Sequence, residues 1–367
     1  MRTESREPLG GPICSRGSAR VNRSTHPDLG FVGNRPGAYR GRRMVSLSSL
    51  ELAPLAADME RVETELRASV DNDDRFLGEV AQHLVSAGGK RLRPALTLCA
   101  AYAASGAGSA SAAAVTGGVA CELVHLGSLY HDDVIDEAET RRGVPSVNAR
   151  WSNIVAILAG DYLLARASSL AASLGADVAA LLAATIGELC RGQVLELQHL
   201  FDAGRSVESY SSAIEGKTAA LFATSCRVGG MVSGVDEPTL DALTRFGHHL
   251  GMCFQVVDDV LDLTSTDEAL GKHVGQDLLE GIYTLPVIYA LDGSNELRSM
   301  LGAPLDGDRL ATARSIIAGN GAIDAALAVA RDHATKANEA LSGADGLAVD
   351  VTTGLCRLVD TLVTRDR

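Results

Sequence analysis

The chain has 367 residues, a net charge of −13, 46% hydrophobic residues and only 4% aromatic ones. Such a length holds one large or two ordinary domains, and the acidic balance argues against a nucleic-acid partner, whose phosphates call for clustered cations. The apolar fraction is mostly Ala, Leu and Val with little strand-like alternation, which predicts an all-α protein.

Residues 1–43 are rich in Gly, Pro, Ser and Arg and carry nine Arg against three acids. That segment is therefore +6 and leaves −19 on the remainder. Without a hydrophobic period it predicts a disordered basic tail, and it lacks the apolar core of a secretory signal. Met44, after Arg42-Arg43, is the expected start of a single domain running over 44–367. Seven cysteines occur (Cys14, Cys99, Cys121, Cys190, Cys226, Cys253, Cys356) with no Cys-x-x-Cys pair. Most sit in apolar helical runs, which predicts reduced core thiols and a cytoplasmic protein. No apolar run is expected to reach the roughly 18–20 residues of a membrane span.

Apolar positions recurring at three and four predict helices over 51–70 and 74–87. Gly88-Gly89 stops the second, and Pro94 suits the start of the next. Between them Lys90-Arg91-Leu92-Arg93 forms a concentrated positive loop, which taken alone reads equally as an ordinary basic interhelical connection.

A helix predicted from about Ala112 ends in His131-Asp-Asp-Val-Ile-Asp-Glu-Ala-Glu-Thr-Arg-Arg-Gly143. Asp132 and Asp136 are four apart, so on a helix their side chains share a face with Cβ atoms roughly 5–6 Å apart. Carboxylates crowded at a helix C-terminus repel one another and oppose the macrodipole. A hard divalent cation with oxygen ligands offsets both effects, and Mg²⁺ is the natural candidate. Arg141 and Arg142 just beyond suit an anion, such as a diphosphate, that shares the metal. His125, seven residues before Asp132, lies two turns away on nearly the same face. It reads either as part of that site or as a satisfied core histidine.

Helices are predicted next over 153–174 and 177–200, where Asp161 and Glu188 read as solvated or packing residues. Glu215-Gly-Lys217-Thr218 then precedes an apolar helix over 219–232; the upstream glycines of a P-loop are absent. Within a helix over 240–264, Phe254-Gln-Val-Val-Asp-Asp-Val-Leu-Asp262 repeats the acidic triplet as Asp258, Asp259 and Asp262, with Gln255 one turn before Asp259. Two such triplets, 126 positions apart and the second with apolar flanks, are hard to explain as surface decoration. Facing each other across a helical bundle they would hold metal ions between them. The loop Gly271-Lys272-His273-Val274-Gly275-Gln276-Asp277 and the stretch Glu280-Gly281-Ile282-Tyr283-Thr284-Leu285-Pro286 follow. Helices over about 307–318, 321–341 and 346–364 complete the bundle.

Taken together, these motifs resemble the trans-type isoprenyl (polyprenyl) diphosphate synthases, long-chain branch, over residues 50 to 365. The Gly-Gly-Lys-Arg-Leu-Arg-Pro loop, both Asp-Asp-x-x-Asp helices, Arg-Arg-Gly, Lys-Thr and the Gly-Lys…Asp-Leu segment occur in that family's order. The resemblance implies an isoprenoid-synthase-type bundle of antiparallel helices around an apolar cavity, usually a homodimer. It implies that Lys90, Arg93, His125 and Arg142 bind isopentenyl diphosphate. Asp132, Asp136 and Asp258, with Asp262, would hold Mg²⁺ on an allylic diphosphate that Arg141, Lys217 and Lys272 also grip. Thr218 and Gln255 would turn polar oxygens toward the allylic carbon as it becomes cationic. Where the family commonly has Glu-Gly-Lys, this chain has Glu280-Gly281-Ile282, so one diphosphate-binding cation is missing.

The expected reaction is head-to-tail condensation of isopentenyl diphosphate onto an allylic primer. A terpene cyclase would share the first triplet but not the second, and a silent partner subunit would lose aspartates that are all present here. Gly127 and Ser128, five and four residues before Asp132, are small where short-chain relatives carry aromatic rings. An unblocked tail there implies a hexaprenyl-to-decaprenyl product for a quinone side chain; the competing reading is that the two small residues let helices pack closely. A weak membrane-surface association for product release is also expected.

Overall fold

The computed structural model describes residues 47–106, 108–265 and 274–364; the predicted tail, Met44, Cys14 and Lys272 lie outside them. After a single 3₁₀ turn, α1 spans Leu55–Ser69, α2 Arg75–Ser86, α3 Leu92–Ser105 and α4 Ala112–Ile135. A hairpin of Thr140–Arg141 and Val144–Pro145 follows, then α5 (Val147–Arg150), α6 (Asn153–Ser173) and α7 (Ala176–Gln198). Helix α8 (Val207–Ile214) runs through a π-helical turn, Glu215–Ala219, into α9 (Ala220–Met231). The long α10 is Glu237–Thr264. Beyond it come α11 (Gln276–Leu279), α12 (Leu285–Gly293), α13 (Asn295–Met300), α14 (Gly307–Gly319), α15 (Ala322–Ser342) and α16 (Val349–Val363).

Local chemistry explains the boundaries. The side chains of Ser111, Ser152 and Asp236 accept from the backbone N–H three residues on and so cap α4, α6 and α10, each worth about 1 kcal/mol. Pro238 stands in the first turn of α10, where its missing N–H costs nothing. Helix α3 begins at Leu92, before Pro94, with Arg91 in a left-handed conformation at its cap. Arg91 is held there by Glu63 at 2.6 Å and by the buried Glu122 at 3.0 Å, so the sequence-based start at Pro94 falls two residues late.

The core is aliphatic, with Leu, Val and Ala from most helices fully buried. Cys99, Cys121, Cys226 and Cys253 belong to it as free thiols. Helices α4, α6 and α7 are each long and apolar enough to cross a membrane, which corrects the sequence-based impression that no run is. Helix α4 is mostly buried inside the bundle, whereas α6 and α7 leave Ile154, Leu158 and Val194 exposed at 70%, 61% and 52%.

Candidate active site

The two acidic helices meet over one cavity of about 1070 Å³. Asp132 and Asp136 come from the end of α4 and Asp258 from α10. Arg93, His125, Ser128, Arg141, Lys217, Thr218 and Gln255 line the same space, and Leu129, Leu189, Leu221 and Phe254 supply apolar wall. Carboxylates and cations therefore share one chamber with aliphatic surface. Leu129 lies about one turn before Asp132 and Leu221 about one turn beyond Lys217, so apolar lining follows the charged groups along both helices.

Two features aim the cations. The two-residue hairpin turn Arg142-Gly143 has both φ angles positive, 55° and 76°, the geometry of a type I′ turn. It folds Arg141 back onto the fully buried Asp133, whose Oδ1 accepts at 2.6 Å. The π-helical turn carries Lys217 and Thr218 against α7, where Gly192 and Gly216 touch. A Cβ on Gly192 would meet the Lys217 nitrogen at 2.3 Å, and one on Gly216 the Glu188 oxygen at 2.6 Å. π-turns inside helices frequently mark functional positions. There Lys217 forms a very short ion pair with the buried Glu196.

The electrostatics follow from burial. Desolvation pushes Asp132 up to about 6; Lys217 pulls it down and Asp136 pushes it further up. Burial opposes the charge on Lys217, yet Glu196 and then Asp132 outweigh it and raise its pKa. Burial brings Arg93 down to about 10, partly offset by Glu122. The His125 imidazole is held well below its ordinary range by burial and by Arg93, Arg142 and other cations around it. It is therefore neutral at physiological pH, an uncharged ring in a cationic corner.

Among the described residues no three acidic or histidine side chains converge closely enough to hold an ion by themselves. The all-oxygen donor set of Asp132, Asp136 and Asp258, with Asp132 strained by burial and by its neighbour, nevertheless fits a hard cation that takes its remaining ligands from water or phosphate.

Several sequence-based assignments fall elsewhere. Asp262 is buried and does not line the cavity; its carboxylate accepts from the Asp277 backbone N–H at 3.3 Å, and its carbonyl from Gly275 at 2.8 Å. One turn beyond Asp258 the helix meets the 274–277 turn, and the side chain anchors that turn. Gly127 faces α6 instead of the cavity, while Ser128 lines it. Lys90 lines a neighbouring cavity, its Nζ 5.6 Å from the centre of the Phe254 ring that walls the main one. Arg142 sits behind the lining and donates to the carbonyls of Gly88 and Leu84. Ile282 lines the cavity beside Glu280 and Asp277.

Sequence reasoning passed over Glu196, Tyr210 and the part played by Asp259. Tyr210 donates to Asp259 Oδ2 at 2.5 Å and Gln255 to Oδ1 at 2.8 Å, while Thr218 donates to Gln255 Oε1 at 2.7 Å. The one signal for Glu196 was its position four residues after Gly192, on the same face of α7.

The chain is similar in sequence and in fold to known proteins. A family model described as polyprenyl synthetase matches residues 74–317. The chain is 41% identical over 307 residues to heptaprenyl diphosphate synthase component 2 of Geobacillus stearothermophilus, covering 83% of this chain and 94% of that one. It is also 41% identical over 260 residues to nonaprenyl diphosphate synthase of Mycobacterium tuberculosis, covering 70% and 77%. A solved polyprenyl synthase from Caulobacter crescentus, complexed with calcium and isoprenyl diphosphate, superposes with a TM-score of 0.82 at 33% identity, covering 89% of this chain and all of that one.

Proposed function

This chain belongs to the polyprenyl synthetase family and is a long-chain polyprenyl diphosphate synthase, and we propose how its residues divide that work. The observation that carries the division is the single cavity in which Asp132, Asp136 and Asp258 face Arg93, Arg141 and Lys217 above aliphatic walls.

An allylic diphosphate enters with its charged end among the carboxylates, Arg141 and Lys217, and its tail against Leu129, Leu189 and Leu221. Asp132, Asp136 and Asp258 are the residues that would hold Mg²⁺, which when bound supplies positive charge to the leaving diphosphate. The calcium in the Caulobacter structure supports a divalent cation here. Arg141 and Lys217 add fixed charge in a water-poor site, where charge stabilisation is strongest. Isopentenyl diphosphate binds at the other end of the chamber, on Arg93 and the neutral His125, with Lys90 from the neighbouring cavity and Arg142 from behind the lining adding positive charge. The allylic C–O bond breaks, the isopentenyl double bond forms the new C–C bond, and the departed diphosphate takes the proton that is lost. Thr218 and Gln255 present oxygens to the transient cation. Repetition gives a hexaprenyl-to-decaprenyl product of the kind that forms quinone side chains.

The exposed apolar face of α6 and α7 is our basis for a homodimer. Both helices have the composition of a membrane span, and we assign their exposed Ile154, Leu158 and Val194 to contact with one further copy of this chain. We place the enzyme in the cytoplasm, with its long product drawing it weakly to membrane surfaces. The test is incubation of the full chain with Mg²⁺, labelled isopentenyl diphosphate and an allylic primer, followed by chromatography of the dephosphorylated product. A ladder ending at six to ten isoprene units, in order of magnitude the length of known quinone tails, supports the reading; no incorporation at any Mg²⁺ concentration overturns it.

A further inference from the structure

Asp259 belongs to the second acidic triplet, and by sequence it is one more candidate for the metal. Its surroundings say otherwise. The side chain is 3% exposed and does not line the cavity. Both oxygens are already occupied, Oδ2 by the hydroxyl of the buried Tyr210 and Oδ1 by the amide nitrogen of Gln255. Behind Tyr210 stands Arg205, also 5% exposed, its guanidinium 5.6 Å from the phenol ring centre and donating to the Tyr283 carbonyl. Two of its nitrogens have no hydrogen-bond partner among the described residues. The cation offsets the carboxylate across the ring.

The direction of the hydrogen bonds is what matters. A carboxylate accepts and does not donate. With Tyr210 donating to one of its oxygens and Gln255 to the other, Asp259 draws the Gln255 NH₂ toward itself and leaves the amide oxygen turned to Thr218. That oxygen accepts from Thr218, which commits the Thr218 hydroxyl proton and leaves its lone pairs free. Thr218 and Gln255 both line the cavity. The result is a chain of donors running from Thr218 through Gln255 to Asp259, which leaves the remaining lone pairs of the two oxygens for the cavity. For a site that must tolerate a carbocation, an amide flipped by half a turn would present N–H dipoles of the wrong sign.

We propose that Asp259 is a positioning residue and not a metal ligand: held by Tyr210, it fixes the Gln255 amide, and through it Thr218, with their oxygens toward the reacting carbon. This rests on the assignment of Thr218 and Gln255 to the allylic cation made above. It predicts that Asp259 acts on the chemical step and leaves substrate and metal binding alone.

The test compares Asp259→Asn, Tyr210→Phe and Gln255→Leu in the full chain with a single defined primer. Asp259→Asn removes the fixed polarity, because an asparagine amide can meet Gln255 with either end. It should lower kcat by about ten- to a hundredfold, while KM for both diphosphates and the Mg²⁺ concentration for half-maximal rate stay within about twofold. Tyr210→Phe deletes one hydroxyl and guards against a folding failure of the first variant; it should lower kcat several-fold in the same pattern. On a Gln255→Leu background both losses should largely disappear, since there is no amide left to orient. A rise of tenfold or more in the Mg²⁺ requirement of Asp259→Asn overturns the proposal in favour of a metal ligand. Fully additive losses in the double variants, or a Gln255→Leu enzyme with normal kcat, overturn it as well. Failure of the parent chain to condense anything would instead remove the functional reading itself, so the two failures are distinguishable.

Discussion

Gly127 on α4 lies so close to Gly160 on α6 that a β-carbon added to it would stand 3.1 Å from the Gly160 carbonyl oxygen. The contact turns Gly127 away from the cavity and leaves the next residue, Ser128, as the first small side chain on the path of a growing tail. Ser128→Phe should therefore shorten the product to roughly three or four isoprene units, because one helical turn of about 5.4 Å separates this level from Asp132. Gly127→Phe should instead disturb the packing of α4 on α6 and lower the melting temperature without a clean change in length. Chromatography of dephosphorylated products beside thermal unfolding separates the two. Shortening by Gly127→Phe in a stably folded enzyme would contradict this geometry.

Ile282 occupies the cavity wall where the family pattern commonly has lysine, and its neighbours Asp277 and Glu280 are acidic. Ile282→Lys should lower KM for the allylic diphosphate by about tenfold or more, since a charge-assisted contact is worth about 1.5–3 kcal/mol. KM for isopentenyl diphosphate should stay unchanged. Equal effects on both substrates would mean that the new cation acts as a general field and makes no contact.

Asp132 titrates near 6 in the fold against an ordinary value of 3.8, chiefly through burial. Folding thus favours its neutral form, and the unfolded chain holds fewer protons between those two values. Stability of the metal-free protein should fall as pH rises from about 4 to about 6 and remain reduced above that. Asp132→Asn should accordingly raise the melting temperature of the metal-free protein at neutral pH by roughly 2–4 °C, and give no gain near pH 3. Scanning calorimetry in the presence of chelator decides it. An unchanged melting temperature at neutral pH would show that Lys217 and Arg141 already cancel the cost.

Leu158 is 61% exposed on the apolar face of α6. Leu158→Glu should convert a dimer into monomers in sedimentation velocity and leave helix content by circular dichroism intact. A parent chain that sediments as a monomer would refute the dimer outright.

Much of this fold was legible because helix ends are written locally. Ser111 and Ser152 announce α4 and α6, and the aliphatic period carries each helix to its end. The cavity-lining aspartates were legible for the same reason, since Asp132, Asp136 and Asp258 lie in short repeated motifs. Which way a helix turns a given residue was not. Asp262 follows the same spacing as its partners, but the 274–277 turn packs at the end of α10 and takes the carboxylate as its anchor. Gly127 and Ser128 are adjacent and equally small, and only the approach of α6 separates their roles. The partners of Lys217 and Asp259 come from 21 and 49 positions away, so no local pattern could pair Glu196 with the one or Tyr210 with the other. Nor does the sequence signal the π-helical turn or the short α8 and α12–α13 segments, where polar and apolar residues lack a long period.

The most direct measurement of the central claim, that two acidic helices serve one diphosphate site, is turnover of Asp132→Ala and Asp258→Ala beside the parent with excess Mg²⁺. Both carboxylates line one cavity from different helices, and a lost ligand weakens neutralisation of the leaving group, whereas relief of carboxylate repulsion does not harm the fold. Each variant should keep its helical circular dichroism and a melting temperature no lower than that of the metal-free parent, and lose turnover by about a hundred- to a thousandfold, the scale on which removal of one preorganised stabilising group is felt. Turnover within a few-fold of the parent in either folded variant would contradict the account.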